Sequence, residues 1–413
     1  MSLVTESAAI HTPVRGALAF VLVLLAAFGA GDASGAEKER RYWYAARAFR
    51  FRPGFTPAPP SIAVFDIGDG HRLVRNIPLP EHVVNIKGIA ASAVTRRIYV
   101  GHWGDSDDLA EITCLDLVTG EVIWEREYAP GPGADRFALS PDGKRLYMPT
   151  GETGWNSYWI VADAITGDVL STIDFVSAPH NTLLSLDGKH VYLQSHQSHI
   201  CPDHEATPLE RMIAIADTAT DKIVRTIGPF GHQVRPFTID GRERFLFAII
   251  NNLIGFQVAD IASNRVLYTA RPPAELWPQP TPQEQNVWSH GIALSPDEKE
   301  VWICDQKSFA VHAFDVSGLP AQAPRYVGSV KTATFVPRAP GWINMSLDGR
   351  YVYPETGEVI ERATRKVVAT LLDPTGAPFI SRWTFEADFR GDEPLRAGDQ
   401  FSVGRVLTDG TSR

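Results

Sequence analysis

Residues Phe137–Tyr147 read Phe-Ala-Leu-Ser-Pro-Asp-Gly-Lys-Arg-Leu-Tyr, and Thr182–Tyr192 read Thr-Leu-Leu-Ser-Leu-Asp-Gly-Lys-His-Val-Tyr. In both, an apolar run leads into Ser-x-Asp-Gly, then a basic residue, then a strand ending in an aromatic. Asp-Gly supplies the positive φ that a tight hairpin turn requires, so each stretch predicts two antiparallel strands. The pattern returns at Ile292–Trp302 and Ile343–Tyr353, and in degenerate form at Phe237–Arg242 and Ile89–Tyr99. A second hairpin follows, clearest in Ile160–Leu170 with its Asp-x-x-Thr-Gly-x-Val, and repeated at Ile112–Ile123, Ile213–Val224 and Phe256–Leu267.

Two hairpins per unit make a four-stranded antiparallel sheet. The unit recurs about every 50 residues, the spacing of propeller blades. Six copies run from Lys87 to Leu372, and Ser61–Pro78 supplies an outer hairpin with no inner hairpin before it. The stretches around Trp383 and Phe401 can furnish the missing strands, because a ring closed from both termini leaves no free sheet edge. The expected fold is therefore all-β: a seven-bladed β-propeller of four-stranded antiparallel blades, its last blade closed by both termini, spanning residues 37–413 as one domain.

These repeats resemble the YVTN/YncE-like propellers, and more loosely the lactonase-type and virginiamycin-lyase-type propellers, from Ser61 to about Leu372. The resemblance lies in the Ser-Pro-Asp-Gly-Lys and Asp-x-x-Thr-Gly-x-Val elements. It implies a fold shared by enzymes and non-enzymes, and fold alone does not choose an activity.

With 413 residues, 44% hydrophobic and 21% charged, the composition fits a soluble globular protein. A formal net charge of −9 argues against nucleic acid as a partner. Ala17–Ala30 is an almost unbroken apolar run, followed by Ser34-Gly-Ala36 and then charge. Small residues at Ser34 and Ala36 suit signal peptidase, so residues 1–36 read as a signal peptide with cleavage after Ala36. The expected location is periplasmic or secreted, with no membrane span after cleavage and a monomeric product. Of three cysteines, Cys114 and Cys304 fall in strands of different repeats, so no disulfide framework is expected.

In a propeller, the loop leading into each innermost strand and the loop joining its second and third strands share one face. The Ser-x-Asp-Gly turns occupy the other. Eight of the eleven histidines after residue 36 fall on the first face: His82, His180, His232 and His290 in one loop type, and His102, His196, His199 and His204 in the other. His180 and His290 stand seven residues before the hairpin aspartate, a register that lines the channel mouth; Lys87, Asp135, Gln233 and Gly341 align with them, beside Arg136, Asn181, Arg235 and Trp342. Glu152, Asp305 and Glu355 aim at the same rim.

Imidazoles and carboxylates from several blades are the ligands a divalent metal uses. The candidate set is His180 and His290 with His102, His196, His232 or Asp305, and a metal there could polarise a carbonyl or activate water. The candidate catalytic residues are His180, His290, Arg136, Arg235 and Asp305. The alternative is that these groups satisfy loop backbone or bind a small anion with Arg136 and Arg235. Two insertions, His196–His204 and the proline-rich Arg271–Gln285, could wall the mouth, with Trp103, Trp155, Trp277, Trp288 and Trp342 nearby. No Cys-x-x-Cys-His, Gly-x-Ser-x-Gly or nucleotide-binding motif occurs, so haem c, serine-nucleophile and nucleotide chemistry are not expected. The function expected is a metal-dependent lyase, lactonase-like hydrolase or oxidase acting on a small organic substrate, or a non-catalytic propeller binding a small molecule, glycan or partner protein.

Overall fold

The computed structural model describes residues 38–49, 58–103, 109–128, 133–151, 158–175, 179–195, 208–281, 287–333 and 339–412. Residues 1–36, expected to be a signal peptide, Glu152, Trp155 and the histidines of 196–204 lie outside these residues.

Each Ser-x-Asp-Gly turn is locked by its own side chains. Ser140 Oγ donates to Asp142 Oδ1 at 2.6 Å and accepts the Arg145 N–H at 2.9 Å. Ser185 with Asp187, Ser295 with Asp297 and Ser346 with Asp348 repeat the device. In the degenerate copy Asp240 takes the serine's place, accepting the N–H groups of Arg244 and Phe245. The pairing of Ile239 with Leu246 therefore matches Leu184 with Val191 and Leu294 with Val301. That alignment puts Arg235, and not Gln233, in the register of His180 and His290.

Six four-stranded antiparallel sheets follow one another in the chain. Their innermost strands are Val84–Ser92, Ala138–Leu139, Pro179–Leu184, Val234–Ile239, Ile292–Leu294 and Ile343–Met345, which define blades 2 to 7. Blade 1 joins the two ends of the chain: Trp383–Arg390 is innermost, then Glu39–Phe49, Ala58–Asp66 and Arg72–Pro78. The fold is thus a seven-bladed propeller. Two features were not anticipated. The basic segment read as the flank of a cleavage site is the second strand of blade 1, and Glu393–Ala397 adds a fifth strand on the axial side of Trp383–Arg390.

Blades 7 and 1 meet at the seam. Trp43 stacks on Tyr353 at 3.7 Å between ring centroids, and Tyr353 hydroxyl meets His71 Nε2 at 2.9 Å. Arg41 donates to Glu386 at 2.7 Å and to Asp348 at 2.5 Å, while Glu386 accepts the Leu347 N–H at 2.6 Å. Burial, reinforced by Asp388, pushes the Glu386 carboxyl up to about 7 against the pull of Arg41. Burial, with the nearby charges of Arg41 and Arg350, holds His71 down to about 4.

The chain then crosses the axis. Ser402 carbonyl accepts from Leu294 N and Thr238 Oγ1, both at 3.1 Å, and Ser402 Oγ accepts from Met345 N at 3.0 Å. Gly404 N donates to Ile239 O, and Gln400 Oε1 accepts from Ile89 N. Residues 400–404 therefore tie the innermost strands of blades 2, 5, 6 and 7 together, with Phe401 and Val403 buried in the cluster that contains Phe237, Ile239 and Trp342. Cys114 and Cys304 are free and buried in separate blades.

Phe401→Ala is expected to cost about 3–5 kcal/mol, the usual range for truncating a buried phenylalanine, read as a lower denaturation midpoint. Because folded His71 stays neutral, while an unfolded histidine titrates near 6.5, its contribution is complete above that value and declines as the pH falls toward 4. His71→Asn, which tolerates the left-handed backbone at this position, is expected to flatten the melting-temperature profile between pH 6.5 and 4.

Candidate functional site

Trp342 forms the floor of the channel mouth. Its Nε1 donates to Gln400 O at 2.9 Å, its ring edge packs on Phe401, and the Arg136 guanidinium lies 4.8 Å from its centroid. Trp342 opens blade 7 and Arg136 opens blade 3, so this contact spans the axis. His290, from blade 6, approaches the same indole at 5.9 Å between centroids.

Blades 3 and 4 contribute a buried network. Asp135 Oδ1 accepts from Arg136 at 2.7 Å, and Asp135 Oδ2 lies 3.2 Å from His180 Nε2. Arg136 Nη1 is 3.1 Å from the same nitrogen. On the other side of the ring, His180 Nδ1 faces Asn181 Nδ2 at 2.7 Å and Gln194 Oε1 at 3.2 Å. With Arg136 donating to Nε2, the Nδ1 proton goes to Gln194 Oε1, while Asp135 Oδ2 lies near Nε2 but makes no hydrogen bond to it.

Arg235, at the equivalent position in blade 5, donates to Asn251 Oδ1 at 2.6 Å, and Asn251 in turn donates to Gln233 Oε1. At Gly341 the backbone N–H donates to Glu355 Oε2 at 2.7 Å, and Arg382 donates to Glu355 Oε1 at 2.7 Å. A Cβ on Gly341 would come within 2.5 Å of Arg382 Nη2, so the pair needs glycine there. Lys87, in the same register of blade 2, rests 3.7 Å over the Trp103 ring. His290 Nδ1 meets Gly341 O at 3.0 Å. Burial first, then the charges of Arg136, Arg382, His180 and Arg235, hold the His290 imidazole well below its ordinary range.

The structure therefore groups His180, His290, Arg136 and Arg235, as the sequence suggested, and adds Arg382. Arg382 immediately precedes the innermost strand of blade 1, whose weak repeat signal hid the position. The other candidates go elsewhere. Asp305 pairs with buried His312 (3.1 Å), whose Nδ1 meets Ser329 Oγ at 2.6 Å. Trp277 covers that imidazole and donates to Tyr326, so the described part of the proline-rich insertion turns back at Pro273–Trp277 and docks on blade 6. His232 Nδ1 accepts from Gln233 N. His102 lies in blade 2 with Thr113, Glu111 and His82, and burial holds it down to about 4. Among the described residues no third ligand joins His180 and His290.

Fold and site define a seven-bladed propeller whose axial mouth is lined by arginines and histidines. No family model matches the chain, and no curated protein matches it. Solved structures do share the fold. A functionally unknown protein from Desulfotomaculum acetoxidans is 12% identical with a TM-score of 0.58, covering 82% of this chain and 98% of its own. The β-propeller domain of Myceliophteria thermophila Cps50 (Swd1) is 12% identical with a TM-score of 0.54, covering 76% of this chain and 96% of its own. At that identity the likeness is one of architecture.

Gly341→Ala is expected to displace Arg382 from Glu355 and to raise the pKa of His290, because one of the cations acting on it moves away. An NMR titration of the histidine Cε1 protons reads this directly.

Proposed function

We propose that the channel mouth binds a small anionic ligand, with a carboxylate as the recognised group. The observation that carries this reading is the convergence of Arg136, Arg235 and Arg382 around His290. Arg136 donates to Asp135, Arg382 to Glu355 and Arg235 to the Asn251 amide oxygen, so three guanidinium groups are held in place around one opening. Guanidinium groups suit planar carboxylates through paired N–H donors. A metal-dependent enzyme at this position draws no support from the described residues, since His180 and His290 gain no third ligand there. The apolar run Ala17–Ala30, followed by Ser34-Gly-Ala36 and then charge, supports a periplasmic or secreted setting for this binding.

The reading is tested by calorimetry with benzoate and succinate against their neutral amides. Saturable binding of the acids is expected, weakened about tenfold or more by Arg235→Gln or Arg136→Gln, which each remove a charged hydrogen-bond donor. Binding should strengthen as the pH falls, because a bound anion offsets the neighbouring cations and raises the lowered His290 pKa. Equal binding of acids and amides, or affinities indifferent to both substitutions, would overturn the reading.

A further inference from the structure

A second constellation sits on blade 2, away from the channel floor. Strand register brings its members together: His102 on Arg97–Trp103 pairs directly with Glu111 on Ala110–Asp116, and Thr113, on the same face two residues on, pairs with Glu125 on Val122–Tyr128. His82, from the segment before the innermost strand, completes the group, with its ring 5.8 Å from that of His102. One ligand atom each from His82, His102 and Glu111 lie within 4.8 Å of one another. They open onto a cleft of about 830 Å³ that also exposes Glu125 and Glu127.

The hydrogen bonds on the far side of His102 fix which nitrogen faces the cluster. Thr113 Oγ1 donates to Glu125 Oε1 at 3.1 Å, so its own proton is committed, and it accepts from His102 Nε2–H at 3.0 Å. His102 Nδ1 then carries a lone pair. Its neighbours are Trp103 O at 3.2 Å and Glu111 Oε2 at 3.5 Å, both electron-pair donors. That lone pair, the Glu111 carboxylate and a His82 nitrogen are close enough together for one cation to reach all three. The Nε2–Thr113–Glu125 chain is also the outer-shell support that orients a metal-binding imidazole.

We propose that His82, His102 and Glu111 form a binding site for a divalent transition metal of the Zn²⁺ type. Two imidazoles and a carboxylate are borderline ligands suited to such an ion, and three protein ligands leave a fourth position open to water or to a molecule in the cleft. Tetrahedral coordination needs ligand atoms about 3.4 Å apart; His82, an exposed side chain whose Nε2 lies 3.0 Å from the exposed Glu125 carboxylate, supplies the closing movement by exchanging that surface pair for the metal. The site is independent of the anion site at the channel mouth.

Chelator-treated, desalted full-length protein is titrated with Zn²⁺ by calorimetry and with Co²⁺ by visible absorption. The expected result is saturable binding near one equivalent, with the absorption of a four-coordinate nitrogen–oxygen cobalt site. Glu111→Gln and His82→Ala are each expected to weaken binding by about tenfold or more. His190→Ala, which removes a histidine paired with Glu243 elsewhere, is expected to leave it unchanged. Melting curves confirm that each variant is folded. Absence of saturable binding, which would leave a proton as the occupant, or binding unaltered in folded Glu111→Gln and His82→Ala, would overturn the proposal.

Discussion

Seven twisted sheets around an axis are stable as a ring only when the first and last blades hold each other, since an open ring would leave apolar sheet faces in water. Here the seam carries that constraint through one sheet built from both chain ends. Hydrogen bonding of Glu39–Phe49 to Trp383–Arg390 makes blade 1 dependent on residues more than three hundred positions apart. Trp43 against Tyr353 supplies apolar contact across the seam, and Arg41 with Glu386 and Asp348 supplies its polar clasp. Removing one member of a buried ion pair leaves an uncompensated charge, so the clasp fixes which strands meet more than it adds net stability.

The same C-terminal strand determines the site. Arg382 enters the mouth because it precedes Trp383–Arg390, and the chain leaving that strand becomes the layer on which Trp342 rests. The floor indole then holds Arg136 above it and His290 beside it. Closure of the ring and assembly of the mouth are thus consequences of one segment finding its place.

The repeated hairpins were legible because their chemistry is local: a serine, an aspartate and a glycine within a few residues determine the turn wherever it stands. Seven blades and closure from both termini followed from counting them. Glu39–Phe49 was missed because its charges sit beside an export-like segment, and the fifth strand because no repeat precedes it. The site was read in part. His180 and His290 share a register that the turn aspartate marks, whereas Asp240 occupies the serine position and moved the apparent alignment from Arg235 to Gln233. Asp305 pointed at the right face, but its partner, His312, stands diagonally on the neighbouring strand, two residues beyond the Ala310 that pairs with Asp305, a relation no spacing rule reports. The acceptor-only surroundings of His102 Nδ1 depend on which proton Thr113 spends, and only three-dimensional neighbours reveal that.

Residues 400–404 cross the axis beneath Trp342, so a molecule held above the indole meets protein on the far side. The mouth is a cul-de-sac. Whatever enters must leave by the way it came, and arrivals cannot push earlier occupants through. For an anion bound as proposed, residence time would then be governed by the rim.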